Sequence, residues 1–174
     1  LATAGARIGT VTAVVIAETG KGSARASQVK QSPISHVLVI EAAEFAEAGV
    51  PAVADALSHI VREKSPAAVL IASHAFGKEV AARVAVLTDS GIITDAVDVA
   101  ADITATQMVF GGSTTVHSQI SHGTPIITVR PNSIEADLNT ASPAIENATA
   151  VISDAAKKAK IASSQPPVKG GRPE

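Results

Sequence analysis

The chain has 174 residues, of which 46% are hydrophobic but only 2% aromatic, and its formal net charge is −2. The absence of Cys excludes disulfides, thiolate metal sites and a cysteine nucleophile. The small net charge, with three Phe and no Trp or Tyr, argues against a nucleic-acid surface. No apolar run approaches the roughly 20 residues of a membrane span, and the first residues lack a signal-peptide pattern. We therefore expect a soluble, cytoplasmic protein with no membrane insertion.

The first half of the chain predicts alternating strands and helices. Residues 1–7 have the pattern of the end of a helix and the first clear strand is at 10–17, so we expect an earlier strand to be missing. Residues 18–35 are polar, with room for a short helix. Apolar residues from Val50 onward follow helical spacing. The remaining elements are strands at 36–40 and 67–72 and a helix at about 77–89. This succession predicts right-handed crossovers and a parallel sheet.

The second half adds shorter extended segments. Residues 92–99 and 125–129 read as strands, and 106–110 pairs with 114–120 across a turn at Gly111 and Gly112. The predicted fold class is α/β, a three-layer α/β/α arrangement with a mostly parallel sheet and an antiparallel hairpin or meander at one side.

The last part of the chain is polar from Glu135 onward. We expect weak extended segments at 149–153 and 158–162. Residues 165–174 have three Pro and two Gly, which is linker composition. The predicted organisation is one α/β domain over 1–164 and a linker over 165–174, with the carboxy terminus truncated like the amino terminus.

The loop that follows the strand at 67–72 is the strongest candidate site. Ser73, His74, Gly77 and Lys78 bring a hydroxyl, an imidazole, an ammonium and backbone N–H groups to a strand–loop–helix corner, where open α/β sheets place ligands. Such a corner can hold an anion. The chain has neither G-x-G-x-x-G nor a Walker pattern. The alternative is that Gly77 merely starts the helix and Lys78 is solvated.

Other polar groups give weaker signals. The segment 110–115 is small and rich in hydroxyl groups, and suits either a ligand contact or a hairpin turn. The histidines lack metal-site spacing, so we expect no metal. No G-x-S-x-G elbow supports hydrolase chemistry. The acids are spaced like loop and edge residues, and we assign no catalytic residue among them; they are Asp89, Asp95, Asp98 and Asp102.

Five segments in order resemble one known family, the alpha subunit of electron transfer flavoprotein. The family pattern has a small-residue loop with Gly-Lys or Gly-Arg, an Arg in the next helix, a T/S-D strand, a G-G or G-N turn, a T-V-R-P strand and an R-P-E-L linker. The matching segments are 73–85, I-T-D-A-V at 93–97, V-F-G-G at 109–112, I-T-V-R-P-N-S at 127–133 and G-R-P-E at 171–174. The resemblance covers nearly the whole chain.

The resemblance implies an electron carrier, not an enzyme. This domain would scaffold a carboxy-terminal domain that holds most of the FAD, and would contact a beta subunit in a heterodimer. Such carriers take electrons from dehydrogenases, such as the acyl-CoA dehydrogenases of fatty-acid beta-oxidation, and pass them to a quinone oxidoreductase or another acceptor. The flavin supplies the redox chemistry. In a eukaryote, the compartment would be the mitochondrial matrix.

The chain departs from the family pattern at its ends. It stops at Glu174, where the FAD domain would begin, so no flavin contact is carried over and we expect no FAD on this fragment alone. In the family's alpha subunits the equivalent of the corner at 73–78 does not ordinarily hold AMP, which favours a scaffold role. The alternative hypothesis is a nucleotide-binding or nucleotide-cleaving domain that uses this corner.

Overall fold

The computed structural model describes residues 1–29, 33–136 and 142–165. The elements of the first half are α1 (Ala2–Ile8), β1 (Thr12–Ala17), α2 (Gly22–Gln28), β2 (His36–Glu41), α3 (Glu44–Glu47), α4 (Val50–Lys64), β3 (Val69–Ala72) and α5 (Ala75–Leu87). The elements of the second half are β4 (Ile92–Ala96), β5 (Asp98–Val99), β6 (Ala105–Val109), a 3-10 turn (Phe110–Gly112), β7 (Thr114–Ser118), β8 (Ile126–Val129), β9 (Ala144–Ala148) and α6 (Asp154–Lys157).

Helix α4 shows why the periodic segments fold as predicted. Pro51 lies in its first turn, where a missing N–H costs nothing. Leu57 and Val61 repeat at helical spacing and are buried. The helix ends at Ser65, whose φ of 44° is left-handed, after basic residues in the last turn that suit the negative end of the helix dipole.

The strands form two parallel sheets and one antiparallel sheet. The parallel orders are β1-β2-β9 and β3-β8-β4, and the antiparallel order is β5-β6-β7. The fold class predicted from the sequence, α/β with a mostly parallel sheet and an antiparallel meander at one side, is therefore confirmed.

Helices cover both faces of the parallel strands. Ile71 and Val14 pack against α4 and α5. Leu70, the neighbour of Ile71, belongs to the cluster around Ala4 of α1, and Val15 packs in a cluster with α2. Since successive strand residues point to opposite faces, the apolar run of each strand is buried on two sides.

Several predicted boundaries are wrong. The segment 92–99 is two strands, because Asp95 has a φ of 62° and the pairing changes from β8 to β6. The helix predicted to begin at 77 begins at Ala75, because His74 caps it.

The carboxy-terminal prediction also fails. Instead of strands at 149–153 and 158–162, strand β9 lies at Ala144–Ala148 and α6 follows it. Helix α6 begins there because the side chain of Ser153 accepts a hydrogen bond from the N–H of Ala156. The predicted linker at 165–174 lies outside the described residues, except for Gln165. In the part of the chain that the structure describes, no helix is long and apolar enough to cross a membrane.

Candidate functional site

Three parallel strands end at one edge, and each brings a polar side chain there. Ser73 follows β3, Arg130 follows β8, and Asp95 lies near the end of β4. Helix α5 begins beside them and contributes Lys78 from its first turns. The carboxyl edge of a parallel sheet is where α/β proteins place ligands, so this is the candidate site.

The carboxylate of Asp95 is the centre of the site. Its Oδ2 accepts a hydrogen bond from Arg130 Nη2 at 2.6 Å, and its Oδ1 accepts one from Ser73 Oγ at 3.0 Å. Lys78 Nζ lies 3.7 Å from Oδ1. Hydrogen bonding from Arg130, then from Ser73, together with both positive charges, lowers the pKa of Asp95 from its ordinary value of 3.8. The carboxylate is therefore held in its ionised form.

The fully buried Thr128 completes a ring of hydrogen bonds. The backbone N–H of Asp95 donates to Thr128 Oγ1 at 2.9 Å, and that hydroxyl donates to Ser73 Oγ at 3.1 Å. Ser73 then donates to the carboxylate of Asp95, which closes the ring. We call Ser73, Lys78, Asp95, Thr128 and Arg130 the Asp95 cluster.

The backbone shape of Asp95 makes this arrangement possible. Its φ of 62° lies in the left-handed region, which Asp tolerates better than most residues. The main chain nearby is tied on both sides, because Ser73 N donates to Val129 O at 2.8 Å and Arg130 N donates to Ala96 O at 2.7 Å. The side chain of Asp95 thereby meets Arg130 at the end of the adjacent strand β8 and Ser73 at the end of β3, one strand further away.

The four residues predicted for this corner divide into two pairs. Ser73 and Lys78 contact Asp95, whereas His74 Nδ1 accepts a hydrogen bond from Gly77 N at 3.0 Å and caps α5. Gly77 packs closely on β3, since a Cβ there would lie 2.0 Å from the carbonyl oxygen of Ala72. Gly77 therefore lies inside the first turn of the helix and does not start it.

Sequence reasoning missed the part that Asp95 and Arg130 play in the corner. Asp95 was assigned to a loop or edge, and Arg130 only to the end of a strand. The signal lies in their positions: each lies at the carboxyl end of a strand in a predicted parallel sheet, as Ser73 does.

A second strand–loop–helix corner is closed in a similar way. The carboxylate of Glu41, at the end of β2, accepts hydrogen bonds from the backbone N–H groups of Gly20, at 3.1 Å, and Gly22. A Cβ on Gly22 would lie 2.4 Å from the side chain of Val39. This contact was not predicted, although two glycines after one strand and an acid at the end of the next give the signal.

The remaining candidates are spread over the surface. In the segment 110–115, the first residues form a turn with positive φ at Phe110, Gly111 and Gly112, and Thr114 begins β7. His122 pairs with Asp89 at 3.1 Å. Among residues 1–29, 33–136 and 142–165, no group of three or more His, Cys, Asp or Glu is arranged to hold a metal.

Two of the predicted edge acids have local partners. Asp98 pairs with Arg7 at 2.6 Å, and Asp102 accepts a hydrogen bond from the N–H of Thr104 at 3.1 Å. Neither belongs to the Asp95 cluster.

The fold and this edge define an α/β domain with open parallel sheets. Domains of this class use the carboxyl ends of their strands to bind a ligand or a partner. A family model described as the electron transfer flavoprotein domain matches residues 1–164. The chain therefore belongs to the electron transfer flavoprotein family, as its motifs predicted.

Curated relatives agree with the family match. The chain is 34% identical over 137 residues to the electron transfer flavoprotein subunit alpha of Mycobacterium tuberculosis strain H37Rv, which covers 79% of this chain and 43% of that protein. It is 33% identical over 175 residues to the protein of the same name from Mycobacterium leprae strain TN, covering 100% of this chain and 54% of that protein. The chain spans about half the length of the curated relatives it matches.

The family name implies a flavin, and a flavin pyrophosphate needs free hydrogen-bond donors at a strand–loop–helix corner. The backbone donors of the β1–α2 loop point to Glu41, and Ser73 and Arg130 donate to Asp95. A phosphate at either place would displace a carboxylate or lie against its negative charge. The residues of these two corners do not fit a pyrophosphate.

Proposed function

We propose that this chain is the amino-terminal domain, over residues 1–164, of an electron transfer flavoprotein alpha subunit, joined through a linker at 165–174 to a domain that holds FAD. In this proposal the domain scaffolds the FAD domain and contacts a beta subunit. The whole protein carries electrons from dehydrogenases, such as acyl-CoA dehydrogenases, to a quinone oxidoreductase or another acceptor. The observation that carries the proposal is the family match over residues 1–164.

The chemistry of the carboxyl edge supports a scaffold role. Arg130 and Ser73 donate to Asp95, and the first-turn N–H of Gly77 donates to His74. These are the groups that would otherwise bind a ligand at such a corner. A bound flavin supplies the redox chemistry of the family, and the residues of this domain contribute rigidity and shape.

The proposal is tested by reconstitution of the intact protein. We expect the full-length alpha subunit, co-expressed with a beta subunit from the same organism, to co-elute with it on size exclusion and to show the visible absorption of bound flavin. A colourless alpha chain that elutes alone would contradict the proposal.

The hairpin tip between β6 and β7 offers a probe of the subunit contact. Phe110 is 83% exposed and Met108 is 44% exposed, and aromatic and Met side chains are enriched in protein interfaces. Phe110→Asn removes the ring and keeps a residue that tolerates the left-handed φ of 51°. We expect it to weaken association with the beta subunit. Val86→Asn is the control, because Val86 is equally exposed but lies on α5. This variant should associate with the beta subunit as the unaltered protein does.

The alternative function, a nucleotide site at the corner, makes a different prediction. Two cations, Lys78 and Arg130, pair with a single acid, Asp95, so the corner has a net positive charge. Micromolar binding of AMP or ATP to the intact protein, lost on Lys78→Ala, would support this alternative over the scaffold role.

A further inference from the structure

We propose that Asp95 is a specificity-determining residue whose carboxylate occupies the position of a phosphate and so excludes phosphate-bearing ligands from the corner. The inference rests on the proposed scaffold role, and it adds the residue that keeps the corner closed. It also predicts that an anion site is present in the fold and is revealed when this one carboxylate is removed.

The groups around Asp95 are those that bind phosphate oxygens elsewhere. An Arg guanidinium at 2.6 Å, a Ser hydroxyl at 3.0 Å and a Lys ammonium at 3.7 Å surround its two oxygen atoms. Guanidinium, ammonium and hydroxyl donors recognise carboxylates and phosphates alike. The chain itself supplies the anion that these donors bind.

The charge balance of the Asp95 cluster explains why the closed corner rejects a phosphate. Asp95 neutralises one of the two positive charges and uses the closest donors of Arg130 and Ser73. A phosphate oxygen placed within about 4 Å of the carboxylate would be repelled by at least about 1 kcal/mol in water, or about fivefold in affinity, and by more near the protein surface. Removal of the carboxylate frees both donors and leaves two positive charges.

A corner of the other parallel sheet, β1-β2-β9, supports this interpretation independently. Glu41 reaches from the end of β2 to the backbone N–H groups of Gly20 and Gly22 in the loop before α2. In both corners, an acid near the carboxyl end of another strand of the same sheet accepts hydrogen bonds from a strand–loop–helix turn. Acidic side chains of the chain itself therefore fill a corner in each of the two parallel sheets.

The test compares binding of inorganic phosphate and AMP to the intact protein at constant ionic strength, by calorimetry and phosphorus NMR. Asp95→Asn keeps the shape of the side chain and removes its charge, and Asp95→Gly suits the φ of 62°. We expect both variants to bind phosphate at least about fivefold more tightly than the unaltered protein. Adding Arg130→Gln to Asp95→Asn should abolish the gain.

The matched control is Asp98→Asn. Asp98 is also an exposed acid paired with an arginine at 2.6 Å, but it lies outside the corner. Its substitution should leave phosphate binding unchanged, which separates the corner from any other phosphate site of the intact protein.

Several results would overturn the proposal. They are folded Asp95 variants that bind phosphate no more tightly than the unaltered protein, an equal gain in Asp98→Asn, or unaltered protein that already binds as tightly as Asp95→Asn. Failure of both Asp95 variants to fold would also overturn it, because Asp95 would then serve the fold and not ligand selection. Failure of the subunit to pair with a beta subunit would contradict the scaffold role but leave these binding results unaffected.

Discussion

Arg130 is joined to the strand of Asp95 by both its side chain and its main chain. Its Nη2 donates to Asp95 Oδ2 at 2.6 Å, and its backbone N–H donates to the carbonyl of Ala96 at 2.7 Å. These two bonds extend the contact between β8 and β4 beyond the last residue of β8. The ends of two adjacent strands are thereby fixed relative to each other.

The Asp95 carboxylate should make stability depend on pH in acid. Its pKa is lowered in the folded protein, chiefly by the hydrogen bond from Arg130, so its stabilising contribution is complete above the ordinary value of 3.8 and is lost as the pH falls through the folded value. We expect the difference in unfolding free energy between the unaltered protein and Asp95→Asn to be constant above about pH 5 and to shrink below about pH 4.

Denaturant unfolding of both proteins at a series of pH values measures this difference. Other acids with lowered pKa values, such as Glu18 and Asp102, are present in both proteins and cancel. A difference that stayed constant down to pH 2 would show that the charge of Asp95 does not contribute.

The buried hydroxyl of Thr128 should contribute more to the free energy of unfolding than its methyl group does. Thr128→Val removes the acceptor for Asp95 N and the donor to Ser73 Oγ, and it leaves the N–H of Asp95 without its partner. We expect the free energy of unfolding to fall by about 2 kcal/mol, since a buried donor without a hydrogen-bond partner costs about 1–3 kcal/mol. Thr128→Ser keeps the ring and should lose only about 1 kcal/mol for one methyl group. A Val variant as stable as the unaltered protein in urea unfolding would refute this account.

The close approach of Gly77 to β3 predicts a large cost for one added carbon. In Gly77→Ala, the Cβ would lie 2.0 Å from the carbonyl oxygen of Ala72, which is backbone and moves only with the strand. We expect the free energy of unfolding to fall by about 3 kcal/mol, as it does in overpacked cores. Gly9→Ala is the control, because nothing lies within 4 Å of a Cβ there, and it should change stability by less than about 0.5 kcal/mol. Similar melting temperatures for the two variants would rule out the clash.

Two valines on α5 test which face of the helix is buried. Val84 is 0% exposed and Val86 is 82% exposed. Val84→Ala should cost about 2 kcal/mol, because it removes two methyl groups and leaves a cavity. Val86→Ala should be neutral or slightly stabilising, since Ala is the better helix former. Equal losses in thermal unfolding would mean that the helix packs differently.

Periodicity in the sequence was enough to predict most elements of the parallel sheets. The apolar spacing from Val50 predicted α4, and the run at 67–72 predicted the strand β3 at Val69–Ala72. Short elements near the carboxy terminus were not predicted, because the residues of β9 are mostly exposed and carry no apolar run. Their position depends on pairing with β2, a distant strand, and local sequence does not encode that pairing.

Only the part of the site that lies in one continuous segment of the chain was predicted. The loop at 73–78 was recognised because its residues are adjacent in sequence. Asp95 and Arg130 belong to other strands, and their meeting with Ser73 follows from the strand order β3-β8-β4. Alternation of strands and helices predicts a parallel sheet but leaves the order of its strands open. The position of Asp95 near the end of a strand therefore indicates that it lies at this edge, but not that its carboxylate reaches Ser73.

The pairing of β9 with β2 has a consequence for biosynthesis. His36 of β2 lies opposite Ala144 of β9, so one edge of an almost completely buried strand stays open until β9 has left the ribosome. Pairing between such distant segments is slow, and an open apolar edge invites association with other chains. During synthesis, β2 is therefore a strand whose open edge a chaperone would usefully protect.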